Sequence, residues 1–335
     1  MKRVISGIQP SGSITLGNYL GALKNFVRIQ DDPSIDDLLV FVADLHAITV
    51  SQDKLKLRNN IKSLVALYLA CGLDPKKCHI FIQSEVPSHT MLSWIFECNG
   101  YIGEFERMTQ FKSKSQSQKT NEGIPLGLLT YPSLMAADIL LYDASLVPVG
   151  QDQTQHLEMT RNLAERFNNK YGETFVLPEA LVVKGGQKIY SLTDPSKKMS
   201  KSDPNPKSNV CLLDDLAQIR NKIKGAVTDS DTHIKYDPIN KPGISNLITI
   251  YSCITGLKIE DIEEKYKESN YQMFKADCAE VVVNEIKPIQ ERYNELINSS
   301  ELDQILDEGR DYATYLSNKK IRKVMDKVGL GRKRK

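Results

Sequence analysis

Lys198-Met199-Ser200-Lys201-Ser202 lies between Pro195 and Pro204, in a stretch too polar and too rich in turn-forming residues to be core. Two ammonium groups separated by small residues that let the backbone approach make a flexible cationic clamp. Such a clamp suits a polyphosphate whose charge changes during reaction. A solvated surface loop can have the same composition, so a phosphate site needs a second half elsewhere. The run Gly7-Ile8-Gln9-Pro10-Ser11-Gly12-Ser13-Ile14-Thr15-Leu16-Gly17-Asn18 has the right chemistry for it. Its glycines and small hydroxyls let the main chain approach a nucleotide. A helix beginning near Gly17 would add free N–H groups and a partial positive charge. The spacing is neither that of the dinucleotide fingerprint nor that of a Gly-Lys-Ser/Thr phosphate loop.

KMSKS is the signature loop of class I aminoacyl-tRNA synthetases. Pro10 to Asn18 resembles the other class I signature in its bacterial tryptophanyl variant, where PSG-x-x-x-x-GN replaces His-x-Gly-His. Thr15 takes the first histidine position and Asn18 the last. The resemblance to the tryptophanyl-tRNA synthetase family runs on through Asp44 to Thr49, Leu129 to Pro132, Leu134 to Leu140, Val147 to Gln153 and Gly329 to Arg332, which is nearly the whole chain.

That resemblance implies adenylate formation from tryptophan and ATP with Mg²⁺, followed by transfer to tRNA(Trp). It assigns Lys198, Ser200 and Lys201, with Thr15 and Asn18, to charge stabilisation at the leaving pyrophosphate. It places Gln9, Pro10, Ser11 and Gly17 on ATP, together with Met199 and Ser202 of the clamp. Gly150, Gln151 and Asp152 would hold the ribose, and Ile189 would meet adenine through its backbone. For Asp152 a helix N-cap is an equal alternative.

Tryptophan carries one polar handle on its ring, an N–H donor, so a selective site needs an apolar slot ending in one buried acceptor. Asp138 fits, lying on a helical run with Met135, Ala136, Ala137, Ile139 and Leu140, where an unpaired carboxylate would be costly. A helix cap or a structural ion pair is the alternative. By resemblance, Met135, Val147 and Val149 line the slot, and Gly7, His46, Tyr131 and Gln153 surround the amino acid. Taken alone, His46 and Met135 would read as core residues. Phenylalanine would leave the acceptor unpaired, whereas tyrosine must be rejected by shape.

The elements that must position these residues alternate short apolar runs with amphipathic stretches, the pattern of a parallel sheet with crossover helices. Strands are expected at Arg3 to Ser6, Leu38 to Ala43, His79 to Gln83 and Leu146 to Val149. A helix is expected through Leu57, Ile61, Leu64, Val65, Tyr68 and Leu69, capped at Gly72. Lys112 to Gly123 reads as a surface loop. Beyond Pro204 the patterns turn helical. The expected class is α/β: a Rossmann-like doubly wound parallel sheet over 1–203, followed by a helical anticodon-binding domain over 204–335.

With 335 residues, 41% hydrophobic and 26% charged, the chain has an ordinary globular composition. A net charge of +2 leaves RNA recognition to local patches such as Lys319, Lys320, Arg322, Lys323 and Lys327, with Arg332 to Lys335 beyond. A solvated helix face is the alternative there. The six cysteines show no CxxC spacing, so reduced thiols and no structural metal are expected. No apolar run reaches membrane-spanning length, which points to a cytoplasmic enzyme. The family implies a homodimer, with Trp94 to Phe111 as the interface. Three other functions fit parts of the pattern: a tyrosyl-tRNA synthetase, a small-molecule nucleotidyltransferase and a non-catalytic RNA-binding relative.

Overall fold

The computed structural model describes residues 1–117, 123–150, 153–181, 188–201 and 203–332, without the side chains of Lys114, Gln116 and Ser117. Among them, five strands form one parallel sheet: β1 (Arg3–Ile8), β2 (Asp37–Val42), β3 (His79–Ile82), β4 (Leu146–Pro148) and β5 (Glu179–Leu181), in the order β3-β2-β1-β4-β5. β1 and β2 pair in register from Arg3 opposite Asp37 to Ile8 opposite Val42. Every residue of β2 is buried, as a strand covered on both faces requires. The four strands expected from the apolar runs all appear. β5 gave no such signal, because it is three residues long, begins at Glu179 and is largely exposed.

Strand side chains alternate between two cores. Val4, Leu38, Val40 and Ile80 face one, packed with Leu64, Val65 and Tyr68 of the helix Lys54–Ala70 and with Ile244, Phe274, Val282 and Ile286 from the C-terminal helices. Ile5, Leu39, Phe41 and Phe81 face the other, which takes in Ala136, Leu140, Leu157 and Phe167. It also contains Ala313, Ile321 and Val324 of the last helix, Glu301–Val328. As expected, Gly72 follows the C-terminus of Lys54–Ala70, with φ +105°.

Lys112 to Gly123 departs from expectation. Its first half is helical, within Thr109–Ser117. Lysine, glutamine and serine cost little in a helix, no glycine or proline interrupts them, and Phe111 anchors the segment to the second core. Residues 118–122 lie outside the described segments.

The last helix spans the amino ends of β1 to β3. Asp37 accepts from Arg3 Nε at 2.6 Å and from the Tyr312 hydroxyl at 2.9 Å, and the His79 ring stacks on Tyr312 at 3.7 Å. Lys320 was expected in the basic patch but turns inward. It donates to the Thr174 carbonyl at 2.8 Å and pairs with Asp143 at 2.5 Å, while Lys319, Arg322, Lys323, Lys327 and Arg332 remain exposed. Among the described residues no helix is long and apolar enough to cross a membrane.

At Gly309 the last helix rests directly on β3, where an added Cβ would lie 1.8 Å from the Ile80 carbonyl oxygen. Backbone cannot yield there as a flexible side chain could. Gly309→Ala should therefore lower stability by about 3 kcal/mol, seen as a lower urea midpoint at unchanged m value. An unchanged midpoint would contradict this packing.

Candidate active site

From β1 the chain passes to β2 on one side, while β4 pairs on the other. In parallel sheets the crevice at the carboxyl ends beside such a reversal is where ligands bind. The loops that leave β1 and β4 there carry Gln9 to Thr15 and, among the described residues, Val149, Gly150 and Gln153.

The first of these is rigidly made. Buried Thr15 is the N-cap of the helical stretch that starts at Leu16, and its Oγ1 accepts from the Asn18 N–H at 3.2 Å. The same hydroxyl donates to Asn18 Oδ1 at 2.8 Å. This pair orients the exposed Asn18 side chain with its NH₂ group available as a donor. Leu16 N–H donates to the Val210 carbonyl at 2.7 Å and Leu212 N–H to that of Ile14 at 2.9 Å, so the segment after the clamp braces this loop.

The two signatures meet. A Cβ on Gly17 would lie 3.5 Å from the Cβ atoms of Ile189 and Met199, both buried. The clamp doubles back on Ile189 to Ser191: Met199 N–H donates to the Ile189 carbonyl at 2.9 Å, Ser191 N–H to that of Lys197 at 2.8 Å, and Tyr190 bridges Lys198. Lys201 Nζ then reaches across to Ser11, donating to its Oγ at 2.6 Å and to its carbonyl. Gly12, with φ +112°, would place a Cβ only 3.8 Å from this ammonium. Desolvation, with repulsion from Lys56 behind it, holds Lys201 below the usual lysine value.

Lys198 and Ser200 are exposed, and among the described residues no hydrogen bond or ion pair joins Lys198 to the first signature. Of the expected pair of lysines, only Lys201 is brought to it here. Ser202, Gln151 and Asp152 lie outside the described residues. The Gly150 carbonyl accepts from the N–H of Gln153 at 2.9 Å, the N-cap residue of the helix Thr154–Tyr171. Exposed Gln9 turns through its carbonyl to Ser11 N–H at 2.8 Å, beside buried Pro10.

Asp138, on the helix Leu126–Leu140, is 2% exposed. Its Oδ1 accepts from Gln83 Nε2 at 2.7 Å and meets His89 Nδ1 at 2.6 Å, while Oδ2 meets His46 Nε2 at 2.8 Å. Burial alone would raise this carboxyl, but the pull of His46 and His89 outweighs it and keeps Asp138 below the ordinary carboxylate range. Asp138 thus has structural partners on both carboxylate oxygens. Each carboxylate oxygen offers two lone pairs. Among the described residues Oδ1 meets two donors and Oδ2 one, so Oδ2 keeps a lone pair.

Val147 is buried, while Met135 and Val149 are half-buried against the same core. Tyr131 stands edge-on to His46, with ring centroids 6.3 Å apart, and its hydroxyl contacts His156 Nε2 and Gln110. Gly7 faces the Phe41 ring so closely that a Cβ would lie 2.6 Å from it. Four groups in this neighbourhood gave no motif: Gln83, His89, Tyr142 and His156. One signal was readable for His89. It shares a helical face with Leu92 and Phe96, and a histidine on a core-facing stripe needs a polar partner.

Residues 1–287 match the family described as tRNA synthetases class I (W and Y). A tryptophan–tRNA ligase of Bacillus subtilis (strain 168) is 59% identical over 336 residues, covering 100% of both chains. The solved tryptophanyl-tRNA synthetase of Mycoplasma pneumoniae superimposes with a TM-score of 0.90 at 38% identity, over 99% of this chain and 98% of that one. That of Campylobacter jejuni, solved with ADP and tryptophan, gives 0.82 at 35%, over 98% and 100%. The chain belongs to the class I tRNA synthetases of the tryptophan and tyrosine group, within the bacterial tryptophanyl-tRNA synthetase family.

Proposed function

We propose that the chain joins L-tryptophan to ATP and passes the tryptophanyl group to the 3′ end of tRNA(Trp), with Asp138 as the acceptor for the indole N–H. The observation that carries the choice of amino acid is the one remaining lone pair on Asp138 Oδ2, in a carboxylate otherwise saturated by Gln83, His89 and His46. Met135, Val147 and Val149 form the apolar wall, and Gly7, His46, Tyr131 and Gln153 enclose the amino acid.

No side-chain nucleophile is needed. The tryptophan carboxylate is ionised at neutral pH and attacks the α-phosphorus in line. An oxygen–phosphorus bond forms, the bond from Pα to the bridging oxygen breaks, and pyrophosphate leaves with that electron pair. A ribose hydroxyl of the tRNA then takes the acyl group and releases AMP. The protein's work is positioning and charge stabilisation. The loop Gln9 to Ser11 with Gly17, and Gly150 to Asp152, cradle the nucleotide. Ile189, Met199 and Ser202 complete the clamp, and Mg²⁺ arrives on the triphosphate.

With Thr15 and Asn18 where relatives in the class carry histidines, Lys198, Ser200 and Lys201 carry most of the charge developing on pyrophosphate. Lys201 supports this role best. Its partners at Ser11 are neutral, so its charge is held at the site without a carboxylate to cancel it. Lys201→Met should slow tryptophan-dependent pyrophosphate exchange by about 100-fold or more. Tryptophan affinity by calorimetry should change by less than about threefold, because uniform binding is not what the lysine supplies. Equal loss in both would refute the assignment.

Residues 1–203 serve as the catalytic unit in this reading, and 204–335 as the anticodon-binding unit, whose exposed tail cations face RNA. The enzyme works as a cytoplasmic homodimer. Met91, Trp94, Tyr101 and Ile102 are all exposed, Trp94 at 65% and Ile102 at 70%, and a second copy would cover them. Trp94 is the sole tryptophan, so its fluorescence should shift to the red as the dimer is diluted or as Ile102→Asp splits it. Sedimentation as a monomer at micromolar concentration would refute the interface.

A further inference from the structure

We propose that His89, oriented from behind by Tyr142, is a positioning residue that fixes the Asp138 carboxylate so that it offers a single acceptor direction to the indole N–H. The inference rests on the reading of Asp138 as that acceptor. His89 is fully buried and uses both ring nitrogens: Nδ1 lies 2.6 Å from Asp138 Oδ1, and Nε2 lies 2.7 Å from the Tyr142 hydroxyl.

Burial, with the Asp138 charge nearby, pushes the Tyr142 phenol well above its ordinary value. The ionised carboxylate can only accept, so in a neutral imidazole the proton sits on Nδ1 and Nε2 accepts from the Tyr142 hydroxyl. An imidazole that accepts at Nε2 carries its own proton on Nδ1. Tyr142 thus supports the tautomer in which Nδ1–H points at the carboxylate. The Phe41, Phe81 and Tyr142 rings, with centroids 6.2, 6.1 and 5.5 Å from that of the imidazole, confine its plane, and its two hydrogen bonds set which edge faces Asp138.

Gln83 completes the lock. Fully buried at the end of β3, it donates Nε2–H to Oδ1 at 2.7 Å, and its Oε1 accepts from Leu45 N–H at 3.1 Å, one residue before His46. The carboxylate cannot turn about its Cβ–Cγ bond without breaking the His89 and Gln83 contacts together. Oδ2, already facing His46 at 2.8 Å, has one direction left. A ligand with a donor on that line is accepted, and one without it leaves a buried acceptor unpaired. If the plane of the carboxylate is freed, that discrimination weakens even though Asp138 itself remains.

The probe is β-(3-benzothienyl)-L-alanine, which keeps the fused ring but has sulfur where indole has N–H. Its affinity relative to L-tryptophan would be measured by calorimetry on the full chain. In Tyr142→Phe and in His89→Leu the preference for tryptophan should fall by about tenfold, the scale of one buried hydrogen bond, with KM for ATP within about twofold. His89→Asn, whose amide can place an N–H where Nδ1–H stood, should recover the preference to within about threefold of wild type.

Asp138→Leu, which removes the acceptor outright where asparagine would keep a carbonyl oxygen, separates the two readings. If it abolishes the preference while Tyr142→Phe and His89→Leu leave it intact, the positioning role is wrong and the acceptor role stands. If the preference survives Asp138→Leu as well, the acceptor role fails and takes this proposal with it. Should His89→Leu not fold, Tyr142→Phe, which removes one oxygen, decides alone. A His89→Asn protein no better than His89→Leu would also overturn the proposal.

Discussion

A carboxylate buried to 2% exposure is the constraint around which this part of the structure is arranged. An unpaired charge at that depth would cost several kcal/mol even after relaxation. Asp138 is tolerable only because donors from three other places converge on it: His46 from the turn after β2, Gln83 from the end of β3, and His89 from the helix Ser88–Glu97. Those places are brought together by the parallel order of the sheet, and they cannot shift independently without stranding the charge. The need to satisfy one carboxylate thereby fixes how His46, Gln83 and His89 stand to one another.

The two signature segments are held together differently. Lys201 reaches the first signature through neutral partners on Ser11, so its positive charge stays available. The contact of Gly17 with Ile189 and Met199, and the bracing of Ile14 and Leu16 by Val210 and Leu212, tie two segments nearly two hundred residues apart into one unit. The helices beyond 204 share both hydrophobic cores with the sheet, and the last of them closes the amino ends of the strands. The site occupies the opposite, carboxyl end.

Much of this was legible in the chain. Four strands announced themselves as apolar runs, the helix Lys54–Ala70 through its spacing, and the two signatures through residue order. Asp138 stood out because a carboxylate in a run of alanine, isoleucine and leucine demands a partner. The partner's identity was not legible. Gln83 ends an ordinary strand, and Tyr142 follows a helix as any aromatic core residue might. Only the fold carries Gln83 to Asp138 and Tyr142 to His89. Lys320 looked like its cationic neighbours until packing turned it toward Thr174 and Asp143. Lys112 to Ser117 looked like a loop because composition alone does not register the anchoring of Phe111.

Pyrophosphate exchange with each of the twenty amino acids in turn tests the account most directly. Tryptophan alone should drive incorporation of labelled pyrophosphate into ATP, with tyrosine and phenylalanine at background. Exchange driven as well by tyrosine would show that the slot around Asp138 does not select indole, and exchange with none of them would remove the adenylation chemistry itself.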